Sequence, residues 1–479
     1  MMTVRHELSQ TKIVATLGPA TSSKEVLRKL FIEGLDVCRL NFSHGAHESH
    51  LEVIKTIREL NQELPHANVA ILADLQGPKL RIGEVENNGV ELVPGENILF
   101  VNEKCVGNAD KVYMSYQQFP QDVEPGETIL IDDGKLKLEV IETNGKDMVK
   151  AKVIYGGTLS SKKGVNLPNT KISLPSMTEK DIADANFALD QGVDWIALSF
   201  VRTVTDIVEL KELIKKKKKN TRVIAKIEKP EALTEIHNII DMTDGIMVAR
   251  GDLGVETPYE DVPLIQKMLV DACIAAAKPV IIATQMMESM IINFRPTRAE
   301  ATDVANAVLD GADALMLSGE TSVGKYPVEV INSMQKIIDS TEKKGFKFFK
   351  EHPPKEFSRT FLADSVCYNA CNMAMQAGAR AIITFTYSGY TAFRISSHRP
   401  DADIFAFTTN CEILNKLSLL WGVRAFAFEG VKSMDDAIEY SIKFLKGQKL
   451  IKEDDIIIHV GSTPLLKRGL TNMMKISYV

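Results

Sequence analysis

Features typical of secreted, membrane and zinc proteins are scarce in this 479-residue sequence. The six cysteines are scattered, and only Cys367 and Cys371 lie close together, without the histidines of a zinc site. No apolar run approaches the roughly 20 residues that span a bilayer. The first ten residues are polar and lack the apolar core of a signal peptide. We therefore expect reduced thiols, no membrane contact and a cytoplasmic location.

Excess charge of one sign is also missing. The formal net charge is −6 and the pI about 5.9, so the chain as a whole has no reason to bind nucleic acid. The lysine run 215–219 has two interpretations, a nucleic-acid patch or a solvated helix end, and the second is favoured. An anionic substrate would therefore need a local basic site.

Short apolar segments alternate with amphipathic ones, which is typical of parallel βαβ units. The length indicates two to four domains. Three predicted strands precede an interruption and five follow it, and eight such units predict a TIM (β/α)8 barrel. The predicted strands are Lys12–Leu17, Val37–Phe42, Val69–Leu75, Trp195–Phe200, Arg222–Ile227, Gly245–Ala249, Pro279–Thr284 and Ala314–Leu317.

The interruption is rich in glycine, proline and short alternating runs, so it predicts a small all-β domain inserted after strand three. Its predicted strands are Gly95–Phe100, Thr128–Ile131 and Lys135–Ile141. A polar stretch then precedes a separate open α/β domain with strands at Ala381–Thr386, Ile404–Thr408, Val423–Phe428 and Asp455–Val460. We therefore divide the chain into barrel (1–76 and 176–345), inserted domain (77–175) and C-terminal domain (358–479).

Polar residues that end barrel strands meet at one rim, where active sites of such barrels lie. Glu228 and Asp252 end strands five and six, and paired carboxylates there suit Mg²⁺ or Mn²⁺. The alternative is that they form salt bridges with Lys226 and Arg250. The basic residues around them favour the metal interpretation.

Three cations at the same rim suit a phosphoryl group. Lys226 lies on the same side of its strand as Glu228, and Arg39 and Arg81 add positive charge. Segment 249–254 contains glycine and precedes a short helix, so its backbone N–H groups form a candidate cradle for a carboxylate or phosphate. The rim therefore predicts phosphoryl transfer coupled to enolate chemistry, without fixing the substrate.

Hydroxyl and imidazole groups complete the rim. Thr284 ends strand seven and either bonds the substrate or a proton-donating water, or simply caps the strand. Ser318 and Glu320 are candidates for supporting roles. His44 is interpreted as a nucleotide contact or a structural histidine.

Taken together, these motifs resemble the pyruvate kinase family, in the family's order and over nearly the whole chain. The matching stretches are Thr11–Thr21, Arg39–Gly45, Asp74–Arg81, Ser161–Pro168, Met247–Glu256, Ala283–Met290, Arg295–Glu300 and Met316–Thr321. The resemblance implies transfer of a phosphoryl group from phosphoenolpyruvate to ADP, giving pyruvate and ATP, in the last step of glycolysis. It also implies that the inserted domain is a mobile lid that excludes water.

The same resemblance implies residue roles. The implied catalytic residues are Lys226, Thr284 and Arg39. The implied ligands of magnesium or manganese are Glu228 and Asp252. The implied substrate-binding residues also include the backbone cradle at Ala249, Arg250 and Gly251, beside Asp252. The implied nucleotide-binding residues are Asn41, His44, Arg81 and Lys163.

The potassium site of the family is altered here. The resemblance places a monovalent cation at Asn41, Ser43, Asp74 and Leu75, but Leu75 replaces a usual threonine and Lys79 replaces a usual glutamate. The Lys79 ammonium could supply the positive charge of the ion. We therefore expect activity without added K⁺.

A hydroxyl-rich turn in the C-terminal domain lies between a predicted strand and a helix. Amides and hydroxyls at a helix start form a phosphate nest, although a plain strand–helix turn is the alternative. The resemblance implies a phosphorylated sugar or nucleotide monophosphate activator here, and a homotetramer. The candidate effector residues are Thr386, Ser388, Gly389, Tyr390, Thr391, Lys467 and Arg468.

Two other functions compete with this interpretation. A metal-dependent lyase or aldolase acting on the enolate of pyruvate would use the same metal and cradle. A non-catalytic sensor of phosphorylated metabolites would keep only the C-terminal site. A kinase depends on ADP, whereas the lyase or aldolase does not. Any turnover excludes the sensor without catalytic activity.

Overall fold

The computed structural model describes residues 9–64, 67–465 and 470–479. Two candidate effector residues, Lys467 and Arg468, lie outside the described residues. None of the helices in the described part of the chain combines the length and apolar character that a membrane span requires.

The chain starts with one side of a parallel barrel. Its elements are β1 (Lys12–Thr16), α1 (Lys24–Glu33), β2 (Val37–Asn41), α2 (His47–Glu63) and β3 (Ala70–Asp74). These strands are almost wholly buried, as expected when helices cover one face and the barrel interior the other. Helix α1 begins where the Ser23 side chain accepts a hydrogen bond from Val26 N, and it ends at Gly34, whose φ is 115°.

An all-β domain then interrupts the barrel, as predicted. Its elements are β4 (Gly89–Leu92), β5 (Asn97–Val101), β6 (Lys111–Tyr113), α3 (Phe119–Asp122), β7 (Thr128–Ile131), β8 (Leu136–Thr143), β9 (Met148–Tyr155), β10 (Gly157–Ser160) and β11 (Val165–Asn166). A six-stranded sheet runs β11-β7-β8-β9-β5-β6, and β4 pairs with β10. This inserted domain has its own apolar core, so it can be positioned as a unit over the barrel.

The barrel closes in the next segment. Its elements are α4 (Glu179–Asp190), β12 (Trp195–Leu198), α5 (Val204–Lys216), β13 (Arg222–Ile227), α6 (Pro230–Thr234), α7 (Ile236–Met242), β14 (Gly245–Ala249), α8 (Arg250–Glu256), α9 (Val262–Ala276), β15 (Val280–Ala283), α10 (Arg298–Asp310), β16 (Ala314–Leu317), α11 (Gly319–Ser322) and α12 (Pro327–Lys344). The strands follow one another around the barrel until β16 pairs with β1. The predicted eight-stranded barrel is confirmed.

The C-terminal segment forms an open sheet, also as predicted. Its elements are α13 (Phe361–Ala377), β17 (Ala381–Phe385), α14 (Tyr390–Ser397), β18 (Asp403–Thr408), β19 (Val423–Ala427), α15 (Met434–Gly447), β20 (Ile456–Gly461) and β21 (Met473–Tyr478). The order is β19-β18-β17-β20-β21. Strand β21 is an antiparallel edge strand that the sequence analysis missed.

A buried ion pair joins the C-terminal domain to the barrel. Arg399 Nη2 lies 2.8 Å from Asp313 Oδ2, and both side chains are buried. Asp313 Oδ1 accepts a hydrogen bond of 3.1 Å from Trp421 N. The apolar core continues across this junction, so the two domains are packed together rather than merely tethered.

Tight contacts define where the inserted domain leaves and rejoins the barrel. Gly77 follows β3 with φ of +70°, and a Cβ atom there would lie 2.8 Å from the Phe200 ring. At the other end, the Arg202 guanidinium donates hydrogen bonds of 2.5 Å to the carbonyls of Ile172 and Leu174. The connections on both sides are therefore anchored to the end of β12.

One buried histidine lacks hydrogen-bonding partners. His459 on β20 is fully buried, and both ring nitrogens have no hydrogen-bond partner among the described residues. Burial, with a further contribution from Lys475 opposite it on β21, lowers the pKa of His459 to about 4. In the unfolded chain the pKa of this histidine is about 6.5. The free energy of unfolding is therefore undiminished above pH 6.5, and it falls as the pH drops from 6.5 toward 4, because the unfolded chain binds a proton that the folded protein does not.

We expect the free energy of unfolding to fall by about 2 kcal/mol between pH 7.5 and pH 5 because of His459. The variant His459→Phe, which keeps a ring against Phe385, should therefore lose less thermal stability over this range. Thermal melts at both pH values test this, with the exposed His237→Gln as control. Equal losses in wild type and His459→Phe would contradict the assignment.

Candidate active site

The carboxyl ends of the barrel strands bring most of the predicted residues to one rim. Arg39 and Asn41 lie on β2, Asp74 ends β3, and Lys226 lies on β13 just before Glu228. Neighbouring strands pair Asn41 with Asp74 and Lys226 with Met247. The strand-end rule that predicted one constellation therefore holds for these residues.

Lys226 is the central cation of this rim. Its Nζ lies 2.9 Å from Glu228 Oε1 and 3.1 Å from Asp74 Oδ1, and it donates a hydrogen bond of 2.7 Å to Ser199 Oγ. Burial acts to lower the pKa of Lys226, but the carboxylates of Asp74 and Glu228 outweigh this and raise it. The ammonium is therefore charged at any physiological pH and unsuited to form a Schiff base.

Asp74 is held between two cations. Its Oδ2 accepts a hydrogen bond of 2.6 Å from Arg39 Nε, while Arg39 Nη1 donates one of 2.8 Å to Thr16 Oγ1. Burial alone would raise the pKa of Asp74, but Lys226 and Arg39 lower it. This carboxylate therefore fixes the two positive charges relative to each other.

Glu228 and Asp252 are the candidate metal ligands. Glu228 Oε2 accepts a hydrogen bond of 2.7 Å from Phe200 N. Burial raises the pKa of Glu228, and the nearby Asp252 charge raises it further against the opposing effect of Lys226. A divalent cation beside these two carboxylates would relieve that repulsion. Because Glu228 and Asp252 supply only two carboxylates, a hard cation held by them would keep positions open for substrate oxygens.

The cradle and Thr284 form one unit. Thr284 Oγ1 accepts a hydrogen bond of 2.7 Å from Gly251 N and donates one of 2.6 Å to Ala283 O. Thr284 has φ of 71° and Gln285 has φ of 54°, conformations that cost a β-branched residue energy and recur at functional sites. The hydroxyl is therefore held in place at the start of α8.

Arg250 points away from the carboxylates. Its guanidinium forms two bonds of 2.7 Å with Asp303 of α10 and one of 2.8 Å with Thr284 O. The alternative salt bridge from Arg250 to the rim carboxylates is thus not formed, whereas the one from Lys226 to Glu228 is. The Arg250 side chain therefore ties the start of α8 to α10 and to Thr284.

The residues of the predicted potassium site differ in what they could offer a cation. Asn41 Oδ1 accepts a hydrogen bond of 3.1 Å from Ser43 N, and Leu75 is buried with no polar side chain to offer. The Asp74 carboxylate already forms ion pairs with Arg39 and Lys226. Lys79 is exposed and lines a pocket between the inserted domain and the rim, together with Asp252.

The predicted nucleotide residues divide between two domains. His44 is exposed beside β2. Arg81 Nη1 donates a hydrogen bond of 2.9 Å to Lys162 O, and Lys163 Nζ lies 2.8 Å from Asp132 Oδ1. The pairing with Lys163 lowers the pKa of Asp132. Arg81 and Lys163 therefore both contact residues of the inserted domain.

The candidate effector turn is ordered by its own side chains. Thr386 Oγ1 accepts a hydrogen bond of 3.0 Å from Gly389 N, where φ is 87°. The Tyr390 hydroxyl donates to Asp364 of α13, and Thr391 Oγ1 lies 2.7 Å from Thr471 Oγ1 in a buried contact. Ser388 is exposed, and its hydroxyl accepts a long hydrogen bond of 3.4 Å from Tyr390 N.

Three functional contacts were missed from the sequence. Ser199 follows β12 and Thr16 ends β1, so both occupy strand ends, and the rule that found Lys226 would have found them. Asp303 gave no local signal, since it lies 53 residues from Arg250. Ser318 N and Met287 N both donate hydrogen bonds to the Glu320 carboxylate, at 2.7 and 3.1 Å. The supporting roles of Ser318 and Glu320 stay predictions.

Family models match almost all of this architecture. The model described as "Pyruvate kinase, barrel domain" matches residues 8–331, and "Pyruvate kinase, alpha/beta domain" matches residues 364–477. The chain belongs to the pyruvate kinase family. The family and the fold expected from the sequence motifs are both confirmed.

Individual pyruvate kinases are similar to this chain in sequence and in structure. The chain is 43% identical over 467 residues to a pyruvate kinase of Corynebacterium glutamicum, covering 98% of this chain and 97% of that one. It is 42% identical over 475 residues to one of Bacillus licheniformis, covering 98% and 81%. A crystal structure of a pyruvate kinase from Cryptosporidium parvum superposes with a TM-score of 0.91 at 35% identity, covering 100% and 99%.

Replacing Lys226 by Met should destabilise the fold, because Asp74 and Glu228 would remain buried without their shared cation. Breaking one partner of a buried pair typically costs about 3–5 kcal/mol. Urea denaturation would measure the loss. Lys29→Met, which removes an exposed pair with Glu25, is the control and should change stability far less. If both variants lost only a small and equal amount of unfolding free energy, the buried charges would not depend on Lys226 as described.

Proposed function

We propose that the protein moves the phosphoryl group of phosphoenolpyruvate to ADP and releases pyruvate and ATP. The observation that supports this best is the buried Lys226 between Asp74 and Glu228, with Asp252 at the same rim. Phosphoryl transfer depends on fixed positive charge around the moving group. The strongly basic Lys226 argues against the aldolase alternative, and the complete rim argues against a sensor without activity.

Each part of the rim has a role in this reaction. Glu228 and Asp252 would hold Mg²⁺ or Mn²⁺, which would neutralise substrate charge when bound. Lys226 and Arg39 stabilise negative charge on the phosphoryl oxygens. The amides of the cradle at Ala249, Arg250 and Gly251 bind the substrate carboxylate. Thr284, fixed by Gly251 N, lies where it can bond the substrate or orient a water that protonates the enolate.

The inserted domain, residues 77–175, acts as the lid. Arg81 and Lys163 move with it, so closure adds positive charge on the nucleotide side while excluding water. Asn41 and His44 contact the nucleotide phosphates from the barrel side. The pocket between lid and rim is lined by Lys79, Gly164 and Asp252.

We propose activation by a phosphorylated sugar or nucleotide monophosphate at the turn 386–391. The Ser388 carbonyl accepts a hydrogen bond of 3.2 Å from Arg222, the first residue of β13. That strand carries Lys226 at its other end, so the turn is linked to the catalytic cation. Lys467 and Arg468 belong to the same proposal.

A homotetramer and a cytoplasmic location complete the proposal. Exposed apolar side chains on and before α9, including Tyr259 and Leu264, offer one surface for a second copy. The edge strand β21 exposes Met474, Ile476 and Tyr478, which offers another.

Turnover should require phosphoenolpyruvate, ADP and Mg²⁺, and should not require K⁺. Pyruvate formation, followed with lactate dehydrogenase in K⁺-free buffer, tests both points. We expect the variant Lys79→Met to become stimulated by K⁺, because the ammonium that replaces the ion is lost. A strict K⁺ requirement of the wild type would contradict only the Lys79 interpretation. Pyruvate trapped on the protein by borohydride, without ADP dependence, would instead support an aldolase.

Ser388→Ala should abolish activation by phosphorylated metabolites and leave unstimulated turnover within about twofold, because Ser388 contacts the opposite end of β13 from Lys226. Activation curves with sugar bisphosphates and nucleotide monophosphates test this, with exposed Thr158→Ala in the inserted domain as control. Unchanged activation of Ser388→Ala would place the effector elsewhere.

A further inference from the structure

Glu256, the last residue of α8, contacts two other parts of the active site. Its Oε1 lies 2.7 Å from Lys229 Nζ and accepts a hydrogen bond of 2.8 Å from Asn166 Nδ2. Lys229 directly follows Glu228, Asn166 ends β11 of the inserted domain, and Asp252 lies one helical turn before Glu256. One carboxylate thus joins the lid to the ends of two catalytic strands.

We propose that Glu256 is a positioning residue that sets the inserted domain over the catalytic rim. The inference rests on the proposed function of that domain as a lid. Asn166 is close in sequence to Lys163, and Gly164 pairs with Arg81 across the sheet. Holding the Asn166 side chain therefore fixes the backbone that carries both nucleotide-side cations, Arg81 and Lys163.

The burial of this contact argues for a specific role. Glu256 and Lys229 are both buried, and a buried ion pair seldom stabilises a fold more than two apolar residues of similar size would. Such pairs are better suited to fix one geometry than to add stability. Glu256 Oε2 is also buried without a hydrogen-bond partner among the described residues. A carboxylate kept purely for stability would use both oxygens.

The location fits this role. Glu256 and Lys229 line the pocket that also contains Lys79 and Asp252, and Asn166 lines it from the side of the lid. In this network Asn166 is the donor from the inserted domain to Glu256. Removing this amide should let the lid rest in several orientations, with little effect on the folding of either domain.

The first test is Asn166→Ala. We expect kcat/KM for ADP to fall about tenfold, which is less than the roughly hundredfold that a misplacement of catalytic groups by about 1 Å can cost. The KM for phosphoenolpyruvate at saturating ADP should change less than twofold, because its carboxylate cradle lies on the barrel. The matched control is Thr158→Ala, which removes a hydrogen bond of 3.1 Å to Glu91 within the lid. Wild-type kcat/KM for ADP in Asn166→Ala would overturn the proposal.

A second test separates the lid contact from the buried charge. In Lys229→Met/Glu256→Gln the amide oxygen still accepts from Asn166, so adding Asn166→Ala should again cost about tenfold. In Lys229→Met/Glu256→Leu the acceptor is gone, so adding Asn166→Ala should change nothing further. Equal losses in both backgrounds would overturn the proposal. Both backgrounds remove the lysine with the carboxylate, so neither leaves a buried unpaired charge.

Hydrogen exchange provides a readout that does not depend on turnover. Asn166→Ala should speed amide exchange at 79–83 and 162–166 while leaving the barrel strands unchanged. Unchanged exchange there would overturn the inference even if the enzyme were active. The two failures are distinguishable. If the wild type transfers no phosphoryl group, but Asn166→Ala still exchanges faster than the wild type at 79–83 and 162–166, the proposed function is refuted and the positioning role stands.

Discussion

The ammonium of Lys226, buried at the carboxyl end of β13, organises the charges of the rim. An isolated charge at this depth would lose its proton, so two carboxylates must accompany it. One of them, Asp74, also binds Arg39, and the other, Glu228, is held by the amide of Phe200. Because every member has a partner at hydrogen-bond distance, the positions of the cations are set before any substrate arrives. Such preorganisation is the main source of electrostatic catalysis.

This arrangement also explains the need for a further cation. Arg39 and Lys226 contribute two cations, whereas Asp74, Glu228 and Asp252 contribute three carboxyl groups. The barrel rim therefore holds more carboxyl groups than cations. Burial raises the pKa of Glu228, and the neighbouring Asp252 raises it further, so a cation between these two carboxyl groups would offset both effects. In this interpretation the lid cations Arg81 and Lys163 add positive charge to a site where carboxyl groups outnumber cations.

The sequence predicted those features that local patterns encode. Apolar runs gave all eight barrel strands because strands buried on both faces need such runs. Edge strand β21 was missed because its residues are largely exposed, so only backbone bonds to β20 define it. At the site, strand ends gave Lys226 and Glu228. The pairing of Arg250 with Asp303 was not predictable, since it depends on where the fold places α10 relative to a residue 53 positions earlier in the chain.

Strand β13 offers a physical route between the two proposed sites. Arg222 at its start is packed against the Phe393 ring of α14, with 4.1 Å between the guanidinium carbon and the ring centre. Arg222 and Lys226 are four residues apart, so they lie on the same side of a strand that rises about 3.3 Å per residue. Hydrogen bonds to both neighbouring strands prevent β13 from bending independently. A displacement of the effector turn that moved Arg222 would therefore reach Lys226 and Glu228 as a shift of the whole strand. Lys229 would pass it to Glu256, and Glu256 to Asn166 of the lid.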